Sequence, residues 1–418
     1  MQGVPSAADR ANAAFDDRSW VEAAAAYAGA DTSEQLSPSD LERWGLAAFL
    51  TGQDDASDSA RERAHFAYLA AGDIDGAARV GHLLGVTLSV RGEPARAGGW
   101  FGRVESLLAE HHMQDSVWQL YLRLSGGMMM LFGGRAAEAA AQFEQILVEA
   151  ERFPDDADLH VVVRNGLGQS LVALGRFDEG LRRLDEVMVR ATADDAVSPQ
   201  LVGLMYCAVI EACRRCFELS RAREWTELLS RWCERQKGLV PYRGQCLVHR
   251  AEVLQLHGSW PDASEEVERV FNQLGEDPTD LAAGMAHYQR GELHRLRGEY
   301  DKAEESYRRA SRCGHDPQPG LALLRLAQGQ CDTAYAAIRR ALDERPYRHD
   351  RLRLLPAYAE VALAAGDGRP RSTPPRSCVP QRQNARLRCC WHRRRRSMDA
   401  LRCLAAMRLL HCGCCGKR

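Results

Sequence analysis

Residues 291–310 read GELHRLRGEYDKAEESYRRA. Gly291 lacks a β-carbon and lets a neighbouring helix cross closely, and Gly298 stands where a helix would end in a left-handed turn. After that turn Tyr300, Ala303, Tyr307 and Ala310 fall at i, i+3, i+7 and i+10, one face of a second helix. Ala303, small between two aromatic residues, permits two backbones to approach. The spacing predicts a helix, a tight turn and a second helix folded back on the first.

Ala303 then serves as a marker, a small residue shortly after a turn with a bulky residue four positions later. The same arrangement recurs at Ala23, Ser57, Ala97, Ala139, Gly180, Ala222, Ala263 and Ala334, and from Ser57 to Ala303 the steps are 40, 42, 41, 42, 41 and 40 residues. Gly168, Leu171, Gly175, Phe177, Gly180, Leu184 and Val187 repeat the pattern position by position, as do Gly85, Leu88, Gly92, Ala97, Phe101 and Val104. Two units depart from it: Phe217 replaces the turn glycine before Ala222, and Arg61 replaces the aromatic after Ser57. Small and large residues so placed resemble the tetratricopeptide repeat, whose unit is about 34 residues, so each unit here needs an extra turn or a longer connection. The expectation is an all-α chain, an α-solenoid of about nine tetratricopeptide-like helix-turn-helix repeats with a period of about 40 residues.

Composition agrees. Apolar residues make up 45% of the 418, but only 7% are aromatic and four are isoleucine, while Ala, Leu, Arg and Glu abound. That is helix-forming stock, poor in the β-branched residues strands prefer. Three Lys against 52 Arg point to a GC-rich coding sequence rather than to a physical demand. The first residues, MQGVPSAADRANAAFDD, lack a basic segment followed by an apolar run, and no window approaches the roughly 18 apolar residues that span a bilayer. A cytoplasmic protein with no membrane partner is expected, its Cys residues before 369 packing as reduced thiols.

The net charge of −2 conceals two pieces: residues 369–418 hold 14 Lys+Arg and one Asp, the remainder 41 basic and 56 acidic groups. The same 50 residues hold seven of the 14 Cys. A helix from about Arg351 to Ala365 followed by Gly366-Asp367 predicts a further second helix with a small residue at 371; instead position 371 is Arg, and Pro370, Pro374 and Pro375 forbid a helix. The chain therefore divides into a repeat superhelix, 1–368, and an Arg/Cys/Pro-rich tail, 369–418, disordered or frame-shifted, since alanine codons read one base out become arginine codons. Other readings of the tail are a polycation for phosphates, a zinc site from Cys412, Cys414 and Cys415 with His411 or His392, and an amphipathic helix over 397–412 lying on an anionic membrane. Against zinc, the paired CxxC…CxxC spacing is missing.

Catalytic patterns fail one by one. Cys213 and Cys216 form a CxxC without the βαβ context of a redox site, so core packing is expected of them. Gly166-x-Gly168 lacks the third glycine and a preceding strand, and there is no HExxH, GxSxG or P-loop. No enzyme, cofactor or metal is expected.

The runs RWCERQKGLVPYRGQCLVHRAEVLQLHGSWPDA at 231–263 and QPGLALLRLAQG at 318–329 resemble the repeat region of bacterial LuxR-type transcriptional regulators. That resemblance implies a tetratricopeptide sensing arm, normally followed by a C-terminal helix-turn-helix that reads DNA; no segment here resembles that DNA-reading domain. In the tetratricopeptide frame the second, fifth, sixth, ninth and twelfth positions of each first helix point into the concave face. Carried over, the resemblance places Asn165 and Gln169; Glu211 and Arg214; His249, Glu252 and Gln255; and Gln289, Glu292 and Arg295 in a groove that takes a protein or peptide. The function expected is a non-catalytic binding scaffold, the sensing arm of such a regulator, and the alternative is a DNA-binding regulator that uses the basic tail. The oligomeric state is left open.

Overall fold

The computed structural model describes residues 6–193, 197–236, 243–274, 281–344, 351 and 353–365. The tail, with the boundary expected at 368 and the Arg at 371, lies outside the described residues. Among the described residues every regular element is helical, and the helices fold as nine antiparallel hairpins. The first is α1 (Ala7–Asp16) with α2 (Trp20–Asp31), followed by α3 (Pro38–Leu50) with α4 (Asp54–Ala70), α5 (Ile74–Val90) with α6 (Pro94–Glu110), and α7 (Val117–Phe132) with α8 (Ala136–Glu149). Next come α9 (Ala157–Ala173) with α10 (Phe177–Ala193), α11 (Pro199–Arg215) with α12 (Leu219–Arg235), and α13 (Arg243–His257) with α14 (Trp260–Leu274). The last two pairs are α15 (Leu281–Arg297) with α16 (Tyr300–Arg312) and α17 (Gly320–Ala327) with α18 (Cys331–Asp343); α19 (Leu355–Ala365) opens a tenth unit. The chain is an α-solenoid of helical repeats.

All nine marker residues lie near the start of a second helix and are buried, Ala303 completely. Five residues before each marker is a turn residue with positive φ: Arg18, Gly52, Gly92, Gly134, Gly175, Phe217, Gly258, Gly298 and Gly329. Phe217 thus keeps the left-handed turn without glycine, at φ +59°. The close approach expected at Gly291 is present, since a β-carbon there would lie 2.7 Å from Tyr307 Cε1. The same pairing, sixteen residues apart, joins Gly85 to Phe101 and Gly127 to Phe143. Arg61 fills the aromatic's place with its aliphatic stem, Cγ lying where a β-carbon on Gly45 would clash, and its guanidinium sits 5.4 Å from the Phe49 ring centroid. The added length of each unit resides in the helices, eight of which have 17 residues among the described residues.

The cap before α3 is Ser37: its hydroxyl accepts from Asp40 N while the Asp40 carboxylate accepts from Ser37 N, a reciprocal box. The final helix begins at Leu355 rather than Arg351, which puts Pro356 in the first turn, where its missing N–H costs nothing.

First helices of successive units pack on each other, α5 on α7, α7 on α9, α9 on α11, α11 on α13 and α13 on α15, and no comparable packing joins successive second helices among the described residues. The first helices are therefore the inner wall. Hydrogen bonds about one repeat apart pin units three to six to one another: Trp118 Nε1 donates to Asp75 Oδ1 at 2.9 Å, Tyr121 to Asp156 at 2.9 Å, Ser198 N to Asp158 at 2.8 Å and Trp225 Nε1 to Asp185 at 3.2 Å.

The superhelix also turns back on itself. Trp20 and Leu50 belong to one core cluster with Val161, Val202, Tyr206 and Trp232. Trp20 Nε1 donates to Gln236 Oε1 at 3.2 Å, and buried Arg61 reaches Thr87 Oγ1 at 2.6 Å and Gln200 Oε1 at 3.0 Å. Units one and two thereby rest on units five and six. No helix among the described residues is long and apolar enough to cross a membrane.

Candidate functional site

Six of the ten expected groove residues come together on the inner wall of units six to eight. On α11, Arg214 donates to Glu211 Oε2 at 2.7 Å from the same helix and crosses to Glu252 Oε1 on α13. His249 Nδ1 stands 3.7 Å from Glu252 Oε2. On α15, Arg295 grips Glu292 with two bonds of 3.1 and 2.7 Å, and Glu292 also accepts from the Tyr307 hydroxyl of α16. Three-residue spacing makes each Glu–Arg pair possible, because positions i and i+3 share one helical face.

The remaining four are placed differently. Gln255 and Gln289 bond to each other across α13 and α15 at 2.6 Å. Gln169 donates to the Ala208 carbonyl at 2.8 Å, a contact that pins α9 to α11. Asn165 is buried in α9 with its Oδ1 lacking a partner among the described residues.

The cluster includes residues that the repeat frame did not indicate. Tyr288, one position before Gln289, has its ring 5.2 Å from the His315 ring and 5.8 Å from that of Tyr307. Arg353, preceding α19, lies over Tyr288 at 5.8 Å and donates to the Gln318 carbonyl at 2.6 Å. His315 and Arg353 sit in connections, where a helical period carries no information; Tyr288 is flagged only by being aromatic on an inner helix.

The electrostatics follow from crowding. Burial would raise the Glu211 carboxyl, but Arg214, Arg215, His249 and Arg353 outweigh it and hold it at about 2. Glu292 is lowered likewise against burial, chiefly by Arg295. Burial pushes His315 down to about 4, with Arg353 acting in the same sense, so its ring is neutral at physiological pH. Burial raises the Tyr288 phenol, which keeps its proton. Glu211 and Arg214 nonetheless keep 36% and 24% of their side-chain area exposed. Accessible groups ringed by charges from several helices are what a concave wall presents.

Nothing in the cluster has the form of a nucleophile with its base. The thiols of Cys213 and Cys216 are raised by burial to about 12 and about 11, so they stay protonated. Among the described residues no group of His, Cys, Asp and Glu is arranged to hold a metal.

The fold is an α-solenoid of tetratricopeptide-like helical hairpins. Among solved structures, that of NprR in complex with its cognate peptide NprX matches 69% of this chain and 82% of that one, at 12% identity and a TM-score of 0.46. A Rap protein complexed with competence and sporulation factor matches 86% of this chain and 96% of its own, at 10% identity and a TM-score of 0.46. A tetratricopeptide repeat protein from Parabacteroides merdae matches 70% and 98%, at 13% identity and a TM-score of 0.39. No family model matches the chain, and no curated protein matches it.

Proposed function

We propose that the chain is a non-catalytic repeat scaffold that binds an extended peptide or protein segment along the inner wall of units six to eight. One observation carries this reading: Glu252 Oε2 and His249 Nδ1 are buried without a hydrogen-bond partner among the described residues, beside side chains that remain open to the groove. An unpaired buried polar group costs about 1–3 kcal/mol. A main-chain N–H brought along the wall would satisfy the carboxylate, and the Gln, Glu and Arg side chains around it suit the alternating donors and acceptors of a peptide backbone.

The test is an array of overlapping peptides probed with the full-length protein. Arg214→Ala and Glu252→Gln should lose the peptides that the unaltered chain retains, whereas Glu138→Ala, on the exposed surface of α8, should keep them. Capture of the same peptides by both groove variants, or of none by the unaltered chain, overturns the reading.

In this reading residues 1–368 are the sensing arm of a LuxR-type regulator acting in the cytoplasm, and residues 369–418 are a frame-shifted extension. Translation of the other two frames after codon 367 tests the extension, since continuing repeats and a helix-turn-helix should appear in one of them. The charge of the tail, 14 basic residues against one acidic, favours a second reading in which the tail binds DNA. Under the scaffold reading, full-length protein binds DNA without sequence preference and loses it steeply with salt. A tight preference for one operator at physiological salt would establish the DNA-binding reading instead.

A further inference from the structure

Where the first unit meets the sixth, the solenoid closes over a cavity of about 280 Å³. Its lining includes Val202 and Tyr206 of α11 and Trp232 of α12, with Asp17 and Arg18 from the corner between α1 and α2 and Arg235 from the end of α12. Each has a local origin. Residues 202 and 206 are one helical turn apart on the same face of α11. The rings of Tyr206 and Trp232 stand 6.1 Å apart. Arg18 occupies the turn position that is glycine in seven of the nine units, at φ +56°, so a guanidinium is kept at the mouth at the expense of backbone strain.

Tyr206 is 2% exposed, and its hydroxyl has no hydrogen-bond partner among the described residues. The other buried tyrosines all have one: Tyr27 bonds Asn12, Tyr68 bonds Glu42, Tyr121 bonds Asp156 and Tyr307 bonds Glu292. Tyr206 lines the cavity. Burial pushes the phenol up to about 12, with Arg235 pulling the other way, so the hydroxyl is a donor at neutral pH with a guanidinium nearby.

We infer that this cavity is a small-molecule site, separate from the peptide groove, that takes an organic carboxylate with an apolar body about the size of a phenyl or indole ring. The carboxylate accepts from the Tyr206 hydroxyl and pairs with Arg235, and the body lies against Val202 and Trp232. Because its walls come from units one, five and six, an occupant ties together the junction that Trp20 and Gln236 already bridge. The site is therefore placed to set how firmly the superhelix closes.

The test uses full-length protein titrated calorimetrically with phenylacetate and indole-3-acetate, and with their neutral amides. At least one acid should bind saturably at one equivalent, its amide about tenfold more weakly or worse, since a hydrogen bond to a charged group is lost. Tyr206→Phe removes only a hydroxyl, so it should leave the urea midpoint unchanged and weaken the acid about tenfold; Arg235→Gln should do likewise. Arg214→Ala, in the peptide groove, should leave acid binding unaltered, which separates failure of this site from failure of the groove. The inference is overturned if neither acid binds saturably at millimolar concentration, if acid and amide bind alike, or if the Tyr206 and Arg235 variants bind as the unaltered chain does.

Discussion

Phe217 holds a backbone conformation that seven of the nine hairpin turns give to glycine. Its φ of +59° brings the β-carbon against the following carbonyl, at a cost of about 1–2 kcal/mol, and its ring, 48% exposed, recovers little by burial. Glycine would relieve the strain but lose about 0.5–1 kcal/mol of unfolded-chain entropy. Phe217→Gly should therefore stabilise the protein by about 0.5–1 kcal/mol, seen as a higher urea midpoint at unchanged slope. A lower midpoint would mean that the ring has a packing role. At this scale the sequence reveals that glycine is missing but not how the turn survives, because left-handed geometry is imposed by the two helices it joins. The same limit applies to the groove. Spacing puts Glu211 with Arg214 and Glu292 with Arg295 on shared faces, whereas the crossing from Arg214 to Glu252 depends on how α11 and α13 pack.

Helix pairs pack at the distance their small residues allow. In α9 and α10 this becomes backbone contact: a β-carbon on Gly180 would stand 2.8 Å from the Gly168 carbonyl, and one on Gly168 2.8 Å from Leu184 Cδ2. In α6, by contrast, Gly98 and Gly99 are exposed and a β-carbon on either would meet nothing within 4 Å. Alanine gains up to about 1 kcal/mol in helix propensity at either kind of site, but overpacking costs about 1–3 kcal/mol. Gly180→Ala should lower stability by about 1–2 kcal/mol and Gly99→Ala raise it by about 0.5–1 kcal/mol, read from denaturant midpoints. Equal effects of one sign would contradict the crossing geometry. Repeat spacing makes Gly180 legible as a marker, since small residues recur at its position; that its neighbour is a carbonyl rather than a side chain follows only from the packed pair.

An ideal solenoid propagates stability only between adjacent repeats. This one adds contacts between residues 139 and 216 positions apart, through Arg61 with Gln200 and Trp20 with Gln236. Trp20, 2% exposed, packs in one cluster with Tyr206 and Trp232. Trp20→Ala should cost about 3–5 kcal/mol and speed amide hydrogen exchange in α11 and α12 as well as in α1 and α2, while α15 and α16 change little. Exchange confined to the first two units would show that the closure contributes nothing to units five and six.

The number of units, the register of each hairpin and the identity of its buried small residue follow from the sequence alone, because they depend on contacts within about 16 residues that recur at every step of about 40. The resemblance to tetratricopeptide repeats also indicates which helix faces inward. Only the tertiary structure decided that the wall closes on itself after four units, that Asn165 is buried while Glu211 and Arg214 keep exposed area, and that Tyr288 and Arg353 join them. The reason is cumulative. A small rotation between neighbouring units leaves no mark in either unit's sequence, but summed over several units it determines which distant surfaces meet.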